Sequence, residues 1–332
     1  MPTYKDAGVD LDRADDIVGS LADIQAETER SGSRGLMRAF GQFAACYDLS
    51  DYENPVMVST CDGVGTKFIL QREYDALDLA GRDLVAMNVN DILTTGADPL
   101  VFLDYVAMSP LEKETIVPVV EGIGEACKDV DCILAGGETA ELPGILEEGD
   151  LELSGFCVGA AEKERIEKSP PVEAGQRIVA FPSDGFHANG FSLVRKVIDE
   201  NPDEFSEDDI RSLLTPTRLY RDVVRTIYDR GNQPSAMVHV TGGGLQGNLE
   251  RVLPDGVSAE ISLSRWTLPA ARTVLDHVPQ EEAFRTFNMG FGWLVILDEL
   301  SAIDVRNNVS EAVLLGDITE DEDTIEITYG RN

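Results

Sequence analysis

The stretch PVMVSTCDGVGTKFIL, residues 55–70, places a hydrophobic run directly before a charged, glycine-rich corner. Its first part, PVMVST (55–60), predicts a short buried strand, and CDGVGTK (61–67) predicts the turn that ends it. Glycines after a strand let backbone N–H groups face a ligand at close range. The Walker pattern GxxxxGK[ST] is absent from the chain, so this corner is not a P-loop. The stretch therefore predicts a ligand-binding strand end of another kind.

Strands and helices alternate on both sides of this corner. LAGRDLVAMNVNDILTT (79–95) predicts a helix with one apolar face, and LVFLDYVA (100–107) predicts a strand with one carboxylate inside it. SPLE (109–112) has the pattern of a capping box and predicts the start of the next helix there. DCILA (131–135) predicts a strand that breaks at Gly136-Gly137.

A polar segment, ERIEKSPPVEAGQ (164–176), interrupts this series and contains Pro170-Pro171. It predicts a boundary between an N-terminal domain, 1–166, and a C-terminal domain, 167–332. A second series of strands and helices follows the boundary. The predicted fold class is therefore α/β, with some α+β character, in two domains.

The charge balance limits the possible functions. The chain has 332 residues, of which 27 are basic and 61 acidic, and its formal net charge is −34. This excludes a nucleic-acid binder, which needs a basic surface. Only 7 of the basic residues are lysines. Abundant carboxylates with few lysines suit concentrated salt, where self-repulsion is screened, so the composition favours a halophilic host. An ordinary acidic protein is the alternative.

Cysteine usage and hydrophobic runs indicate the compartment. The five cysteines include no CxxC pair, so they predict neither a disulfide framework nor a zinc site. No apolar run reaches about 18 residues, which predicts no membrane span. The sequence MPTYKDAGVDLDRADD (1–16) lacks a basic region followed by an apolar one, so no secretory signal is expected. These features predict a cytoplasmic protein without a membrane partner.

Four glycine-rich corners follow predicted strands. They are CDGVGTK (61–67), AGGETA (135–140), SDGFHANG (183–190) and VTGGG (240–244). One such corner carries little information. Four corners with different polar residues predict one large phosphorylated ligand or two ligands.

Carboxylates near these corners predict a metal. Asp62, Asp91 and Glu138 offer hard oxygen atoms, which suit Mg²⁺ bound to one or two carboxylates and to substrate phosphates. Lys67 would place a cation on those phosphates. Structural alternatives remain, in which Asp62 caps a turn, Asp91 faces solvent and Lys67 is a surface lysine. Asp104 is either a site carboxylate or a buried hydrogen-bond acceptor.

Histidines complete the set of candidate chemical groups. His187 lies in GFHANG (185–190) before a predicted helix, which suits proton transfer or a phosphate contact, although it could also stabilise a turn. His239 lies inside AMVHV (236–240) and is expected to be a core residue. No nucleophile elbow is present. The residues alone thus predict an Mg²⁺-dependent enzyme that handles ATP or a sugar phosphate.

Eleven stretches in order along almost the whole chain carry a family signature. They are YKDAGVD (4–10), DGVGTK (62–67), DLVAMNVND (83–91), GADPLVFLDY (96–105), GGETAELPG (136–144), GFCVG (155–159), HANGFSLVRK (187–196), LLTPTRLY (213–220), HVTGGG (239–244), RVLP (251–254) and FNMGFG (287–292). Together they closely resemble the phosphoribosylformylglycinamidine cyclo-ligase (AIR synthetase) family of purine biosynthesis. Single pieces such as DGVGTK also occur in the wider superfamily, whereas the ordered set is specific.

The resemblance implies a reaction and an assembly. ATP and formylglycinamidine ribonucleotide would give aminoimidazole ribonucleotide, ADP and phosphate. ATP and Mg²⁺ would be the cofactors. The fold would be of the AIR-synthetase type. The N-terminal domain, 1–166, would bind ATP, and the sheets of two such domains would join into a barrel to make a homodimer. The C-terminal domain, 167–332, would be a mixed sheet with helices and would bind the substrate.

The resemblance also implies roles for individual residues. His187, Lys67 and Asp62 would be catalytic, and Asp62, Asp91 and Glu138 would hold the metal. The implied nucleotide-binding residues are Gly63, Gly65, Thr66, Lys67, Asn90, Gly136, Gly137, Glu138 and Thr139. The implied residues for the ribonucleotide are His187, Asn189, Thr241, Gly242, Gly243 and Gly244.

One segment, RSGSRGLMRAFGQFAACYD (30–48), departs from the glycine-rich lid of the family. Either the lid closes differently, or an arginine such as Arg34 or Arg38 contacts phosphate.

Two other interpretations of the whole chain remain open. One is another ATP-using enzyme of the superfamily, such as a thiamine-phosphate kinase or a selenophosphate synthetase, with Cys46 as the nearest reactive cysteine. The other is a non-catalytic nucleotide-binding regulator.

Overall fold

The structure is a computed structural model that describes residues 10–32, 35–38, 44–263, 269–320 and 325–329. It divides into two compact units, Met1–Ile92 with Ala97–Lys163, and Leu93–Gly96 with Glu164–Asn332. The division after Lys163 lies close to the predicted domain boundary at residue 166. Within the described ranges, no helix has the length and apolar character needed to cross a membrane.

The first unit is built on a four-stranded sheet. Its strand order is β3-β6-β4-β5, in which β4 and β5 are parallel and the other neighbours antiparallel. The short strands β1 and β2 pair separately. The elements are α1 (Leu11–Gly32), β1 (Leu36–Arg38), β2 (Cys46–Tyr47), β3 (Pro55–Gly63), α2 (Lys67–Glu73), α3 (Leu77–Leu93), β4 (Asp98–Met108), α4 (Lys113–Asp129), β5 (Ile133–Glu141) and β6 (Leu151–Glu162).

The two faces of this sheet differ in burial. Helix α3 packs on one face where β6 carries glycines, and a Cβ added at Gly155 would lie 3.2 Å from Leu84 Cγ. Side chains on that face, such as those of Phe102 and Cys157, are fully buried. On the opposite face, Met57 is 70% exposed and Phe156 is 41% exposed. The sheet therefore has a helix-covered face and an open apolar face.

Several predictions for the first unit are confirmed and three are wrong. The apolar face predicted for α3 is buried, and so is the apolar face of α4, the helix predicted to follow β4. However, β3 lies at the edge of the sheet and alternates between exposed and half-buried residues, so it is not a buried strand. Strand β5 runs through Gly136 and Gly137 instead of breaking there, because a bulge opposite β4 accommodates them. Helix α4 begins at Lys113, after the predicted capping box.

The second unit is built on a six-stranded sheet of order β12-β9-β11-β7-β10-β8. Its neighbours are antiparallel except for β9 and β12. Strand β10, which lies between β7 and the edge strand β8, is almost entirely buried. Trp293 of β10 and Phe181 of β7 are among the largest side chains in the core. The elements are α5 (Lys163–Glu167), β7 (Arg177–Pro182), α6 (Phe191–Glu200), a 3₁₀ helix (Pro202–Glu204), α7 (Glu207–Leu213), α8 (Arg221–Asp229), β8 (Ala236–His239), α9 (Gly244–Glu250), β9 (Ser258–Leu263), α10 (Pro269–Asp276), α11 (Gln280–Thr286), β10 (Phe291–Leu297), α12 (Glu299–Asn308), β11 (Val313–Thr319) and β12 (Glu326–Tyr329).

Candidate functional site

The end of β3 and the last turns of α3 form a polar site in the first unit, which we call the carboxylate corner (Asp62, Asn88 and Asp91). The backbone N–H of Asp62 donates to Asn88 Oδ1 at 3.0 Å, and Asn88 Nδ2 donates to the Asp62 carbonyl oxygen at 3.2 Å. The hydroxyl of Thr60 lies 3.5 Å from Asp91 Oδ2. Asp62 follows Thr60 by two residues on the same face of β3, so the fold brings the two predicted metal-binding carboxylates together.

A buried carboxyl lies in the same row of the sheet. Asp62 pairs with Gly155, Gly155 with Asp104 and Asp104 with Gly137, so all four occupy one line across the helix-covered face. A Cβ at Gly137 would lie 2.3 Å from Asp104 Oδ1, so only glycine fits beside this carboxyl. Asp104 is 6% exposed, and burial raises its pKa to about 7.

Lys67 does not occupy the position expected of a phosphate-binding cation. It is fully buried, and its Nζ lies 2.7 Å from Asp83 Oδ2, which also accepts a hydrogen bond from Gln71 Nε2 at 2.8 Å. Burial lowers the pKa of the Lys67 ammonium, and Asp83 opposes that shift. A buried ammonium needs such a counter-ion because water no longer solvates it. This placement corrects the sequence-based expectation of a direct phosphate contact, and Asp83 is a partner that the sequence did not reveal.

The other predicted nucleotide-binding residues fall into two groups. Gly63, Gly65 and Thr66 join β3 to α2, and Gly65 has a φ of 65° that favours glycine. Asn90 is fully buried in α3. The remaining group, which lies inside strand β5 rather than in a loop, comprises Gly136, Gly137, Glu138 and Thr139.

Glu138 is separated from the carboxylate corner. It pairs with Tyr105, and its neighbour Gly137 pairs with Asp104, so its side chain lies on the open face, opposite to Asp62. In the part of the chain that the structure describes, no three His, Cys, Asp or Glu side chains converge as a metal site. Asp62 and Asp91 still fit Mg²⁺, which binds one or two carboxylates and takes its other ligands from phosphates and water.

His187 lies in the interior of the second unit. It is fully buried with a φ of 62°, and its ring centroid lies 6.2 Å from that of Tyr220 and 6.4 Å from that of His239. A Cβ at Gly292 would lie 2.2 Å from His187 Cε1, so β10 packs directly against the imidazole. His239 is buried as predicted. A role of His187 as a proton-transfer group at the substrate is not apparent from this enclosed position.

The remaining predicted substrate residues meet above the ends of β7 and β8. A Cβ at Gly242 would lie 3.6 Å from Asn189 Oδ1, so the loop that carries Asn189 adjoins the glycine loop, which we define as residues 241–244. Gly242 and Gly243 are exposed. The side-chain amide of the buried Asn248, in α9, hydrogen-bonds to backbone carbonyl oxygens of the glycine loop.

A second buried asparagine holds the loop that carries His187 and Asn189. Asn288 Nδ2 donates to the Gly185 carbonyl at 2.9 Å, and Asn288 Oδ1 accepts from Ser183 Oγ at 3.3 Å and from the Gly290 N–H at 3.0 Å. Sequence reasoning assigned no role to Asn88, Asn248 or Asn288. Their signal was a polar residue among apolar neighbours, as in VAMNVND (85–91) and GLQGNL (244–249).

Parts of the predicted site lie outside the described residues. These are most of YKDAGVD (4–10), together with Arg34, while the side chain of Arg38 is not described either. Cys46, the cysteine considered for selenophosphate chemistry, is exposed and free.

Comparisons with known proteins identify the family of the chain. Residues 41–161 match the N-terminal domain of AIR synthase related protein, and residues 173–327 match its C-terminal domain. Phosphoribosylformylglycinamidine cyclo-ligase of Caldanaerobacter subterraneus subsp. tengcongensis is 40% identical, over 96% of this chain and 98% of its own length.

Solved structures of lower identity share the fold. Thiamine-monophosphate kinase from Stenotrophomonas maltophilia has a TM-score of 0.66 at 17% identity, over 93% of this chain and 95% of the other. Hydrogenase maturation protein HypE in complex with ATP has a TM-score of 0.59 at 17% identity, over 84% and 80%. From its two matched domains and its curated relative, the chain belongs to the phosphoribosylformylglycinamidine cyclo-ligase family of AIR synthase related proteins.

Proposed function

We propose that this chain uses ATP to close the ring of formylglycinamidine ribonucleotide, giving aminoimidazole ribonucleotide, ADP and phosphate. The single observation that carries the proposal is the 40% identity to a named cyclo-ligase over 96% of the chain. The geometry agrees with it, since the first unit presents paired carboxylates at a strand end and the second presents an exposed glycine loop.

The chemistry requires positioning more than a nucleophilic side chain. The formyl oxygen attacks the γ-phosphorus of ATP, and ADP leaves. The amidine nitrogen then attacks the activated carbon, loses a proton and expels phosphate. Phosphoryl transfer of this kind depends on alignment and on neutralisation of charge. The absence of a nucleophile elbow in the sequence fits this reaction.

The carboxylate corner is our proposed Mg²⁺ site. Asp62 and Asp91 would hold the ion, and the ion would neutralise charge on the ATP phosphates. Asn88 fixes the backbone of Asp62 and thereby the direction of its carboxylate. Lys67 would contribute indirectly, because its ion pair with Asp83 ties the start of α2, which follows Gly63 and Gly65 in the chain, to α3.

The glycine loop is our proposed site for the ribose phosphate, with Asn189 beside it. The support is the exposure of Gly242 and Gly243 and their proximity to Asn189. His187 would shape this region from within, through its packing against Tyr220 and Gly292.

A homodimer is the proposed assembly, with the open apolar face as the interface. Met57 and Phe156 are large apolar side chains left exposed there, and edge strand β3 is available for pairing. Glu138 lies on the same face, so the second copy would decide whether its carboxylate reaches a metal. Met57→Lys is expected to produce monomers in light scattering, whereas Leu300→Lys, at an equally exposed site on α12, should leave the dimer intact. If the Met57→Lys variant still forms dimers, the open apolar face is not the dimer interface.

The net charge supports a halophilic cytoplasm as the setting. Its −34 charge would destabilise the folded chain in dilute buffer, where the carboxylates are not screened. Thermal unfolding in increasing KCl should show a rising midpoint. Full stability without added salt would contradict the halophilic setting and leave the activity untouched.

Turnover is the direct test of the reaction. The purified chain, formylglycinamidine ribonucleotide, ATP and Mg²⁺ should yield aminoimidazole ribonucleotide and ADP in equal amounts. Omission of Mg²⁺ should abolish the yield. ATP binding without ring closure would contradict the proposed activity and favour a nucleotide-binding regulator. Phosphorylation of thiamine phosphate instead would favour the kinase alternative.

A further inference from the structure

Asn248, a buried residue of α9, contacts the glycine loop through both the nitrogen and the oxygen of its side-chain amide. The residue is 3% exposed. Its Nδ2 carries two hydrogens and lies within hydrogen-bond distance of three carbonyl oxygens, those of Thr241 at 3.1 Å, Gly242 at 3.2 Å and Gly244 at 2.7 Å, so the two N–H groups are shared among them. Its Oδ1 accepts from the Thr241 hydroxyl at 3.2 Å. One amide group therefore fixes the loop at four points.

The direction of these carbonyls sets the direction of the neighbouring N–H groups. In a trans peptide the C=O and the N–H point in opposite directions. The Thr241 and Gly242 carbonyls point toward Asn248, so the N–H groups of Gly242 and Gly243 point away from it. Among the described residues, neither N–H has a protein acceptor, and both glycines are exposed. Successive outward N–H groups of this kind make a concavity that binds anions.

The glycines of the loop can adopt the backbone conformation that directs these N–H groups outward, but they do not by themselves favour it over others. Gly243 and Gly244 have φ values of 99° and 63°, which residues with side chains rarely adopt. A glycine peptide can also rotate into other orientations at small energetic cost, and the N–H groups would then turn inward. The selection therefore comes from the amide of Asn248, because it satisfies the carbonyls in only one orientation.

We propose that Asn248 is a positioning residue for the phosphate group of the ribonucleotide substrate. It does not touch the substrate. It keeps the N–H groups of Gly242 and Gly243 directed at a phosphomonoester, which is an anion at neutral pH. This inference rests on the proposed function, because that function assigns the glycine loop to the ribose phosphate.

Asn248→Asp tests the inference in the full-length chain, with ribose 5-phosphate as the probe. The substitution keeps the shape of the side chain and places a carboxylate against three carbonyl oxygens. Ribose 5-phosphate is expected to raise the thermal unfolding midpoint of the wild type but not of Asn248→Asp. In turnover, the KM for the ribonucleotide should rise about tenfold, the effect of losing one or two hydrogen bonds, while the KM for ATP stays constant.

Gln246→Glu is the matched control. It makes the same change of amide to carboxylate on the same helix, where Gln246 Nε2 donates to Glu250 Oε1 at 3.0 Å and not to the glycine loop. Its response to ribose 5-phosphate should equal that of the wild type. A merely structural role of Asn248 would lower the midpoint without the probe and leave the shift caused by the probe unchanged.

Two results would overturn the inference. One is equal protection of Asn248→Asp and the wild type by ribose 5-phosphate, and the other is no protection of the wild type. If Asn248→Asp does not fold, Thr241→Val is tested in its place, because valine lacks the hydroxyl that donates a hydrogen bond to Asn248 Oδ1. Protection of Thr241→Val by ribose 5-phosphate equal to that of the wild type would also overturn the inference. Loss of ring closure with the expected binding pattern intact would count against the proposed reaction alone.

Discussion

The carboxylate corner and the glycine loop hold their backbones in the same way and present opposite charges. In the first, Asn88 of α3 bonds the N–H and the C=O of Asp62. In the second, Asn248 of α9 bonds the carbonyls of Thr241 and Gly242. The corner exposes carboxylates, which suit a cation, and the loop exposes N–H groups, which suit an anion. In both sites a buried amide side chain fixes the backbone at a strand end. The groups that this backbone then exposes decide whether the site suits a cation or an anion.

The largest effect is expected at Lys67, beside the carboxylate corner. Lys67→Met leaves the Asp83 carboxylate buried without its counter-ion, which should lower the free energy of unfolding by about 3–5 kcal/mol. The double variant Lys67→Met, Asp83→Leu should recover most of that loss, because a buried pair can be replaced by apolar groups of similar size. Urea unfolding measures both.

The activity of the double variant separates two roles for Lys67. Turnover should return together with stability if the ammonium only supports the corner. A stable but inactive double variant would restore the direct phosphate contact that the sequence predicted.

Asp62→Asn should remove the cation function from the corner while leaving the loop intact. Loss of a metal-binding carboxylate is expected to lower kcat by at least about 10²-fold and to raise the Mg²⁺ concentration needed for half activity. Ribose 5-phosphate should still raise the unfolding midpoint. Asp78→Asn, at an exposed position in the first turn of α3, serves as the control with unchanged Mg²⁺ dependence. Near-normal turnover of Asp62→Asn would make Asp62 a turn residue.

Local pattern predicted much of this fold. Apolar periodicity located α3 and α4; in α3, for example, Val85, Val89 and Ile92 recur at helical spacing and all are buried. Glycine pairs were less informative, since a strand bulge at Gly136 and a turn look the same in sequence. The edge position of β3 depends on pairing with β6, which is nearly a hundred residues away in the chain.

The candidate site was predicted by residue type and less well by environment. Thr60, two residues before Asp62, contacts Asp91, which agrees with the predicted metal pair, but nothing near Lys67 in sequence shows that Asp83 will lie beside it. The row of Asp62 and Asp104 is likewise set by strand register, which is non-local. Buried amides such as Asn88 are concealed because their helices still show an apolar pattern.

Asn88→Ala tests the role of the buried amide in the carboxylate corner, with a smaller expected effect on activity than Asp62→Asn. It removes the hydrogen bonds to Asp62 and leaves the carboxylates in place, so the free energy of unfolding should fall by about 1–3 kcal/mol. The Mg²⁺ requirement should increase about tenfold, as for other groups that orient a metal ligand. Titration of activity against Mg²⁺ measures this. An unchanged requirement would mean that Asp62 orients its own carboxylate, for instance through the bond between Asp62 Oδ1 and the Gly63 N–H.

The last effect is spread over several pH units and concerns Asp104, which lies in the row of Asp62 but is enclosed. Its pKa is about 7 in the folded chain, whereas an aspartate in an unfolded chain has a pKa of about 4. Between these values the folded state holds the extra proton, so the free energy of unfolding decreases as pH rises and levels off above the folded pKa. The slope from this group is at most about 1.4 kcal/mol per pH unit.

Asp104→Asn isolates that contribution, because asparagine has nearly the same shape and does not ionise. Relative to the wild type, the free energy of unfolding of the variant should increase as pH rises from about 5 to about 7 and then stay constant. Urea unfolding at fixed salt measures the difference, and Asp78→Asn, the same substitution at an exposed position, is the matched control. A difference that does not vary with pH would mean that Asp104 ionises as readily in the folded chain as in the unfolded one. Water would then reach this carboxyl as it reaches the carboxylate corner, and the contrast between an open and an enclosed end of the row would disappear.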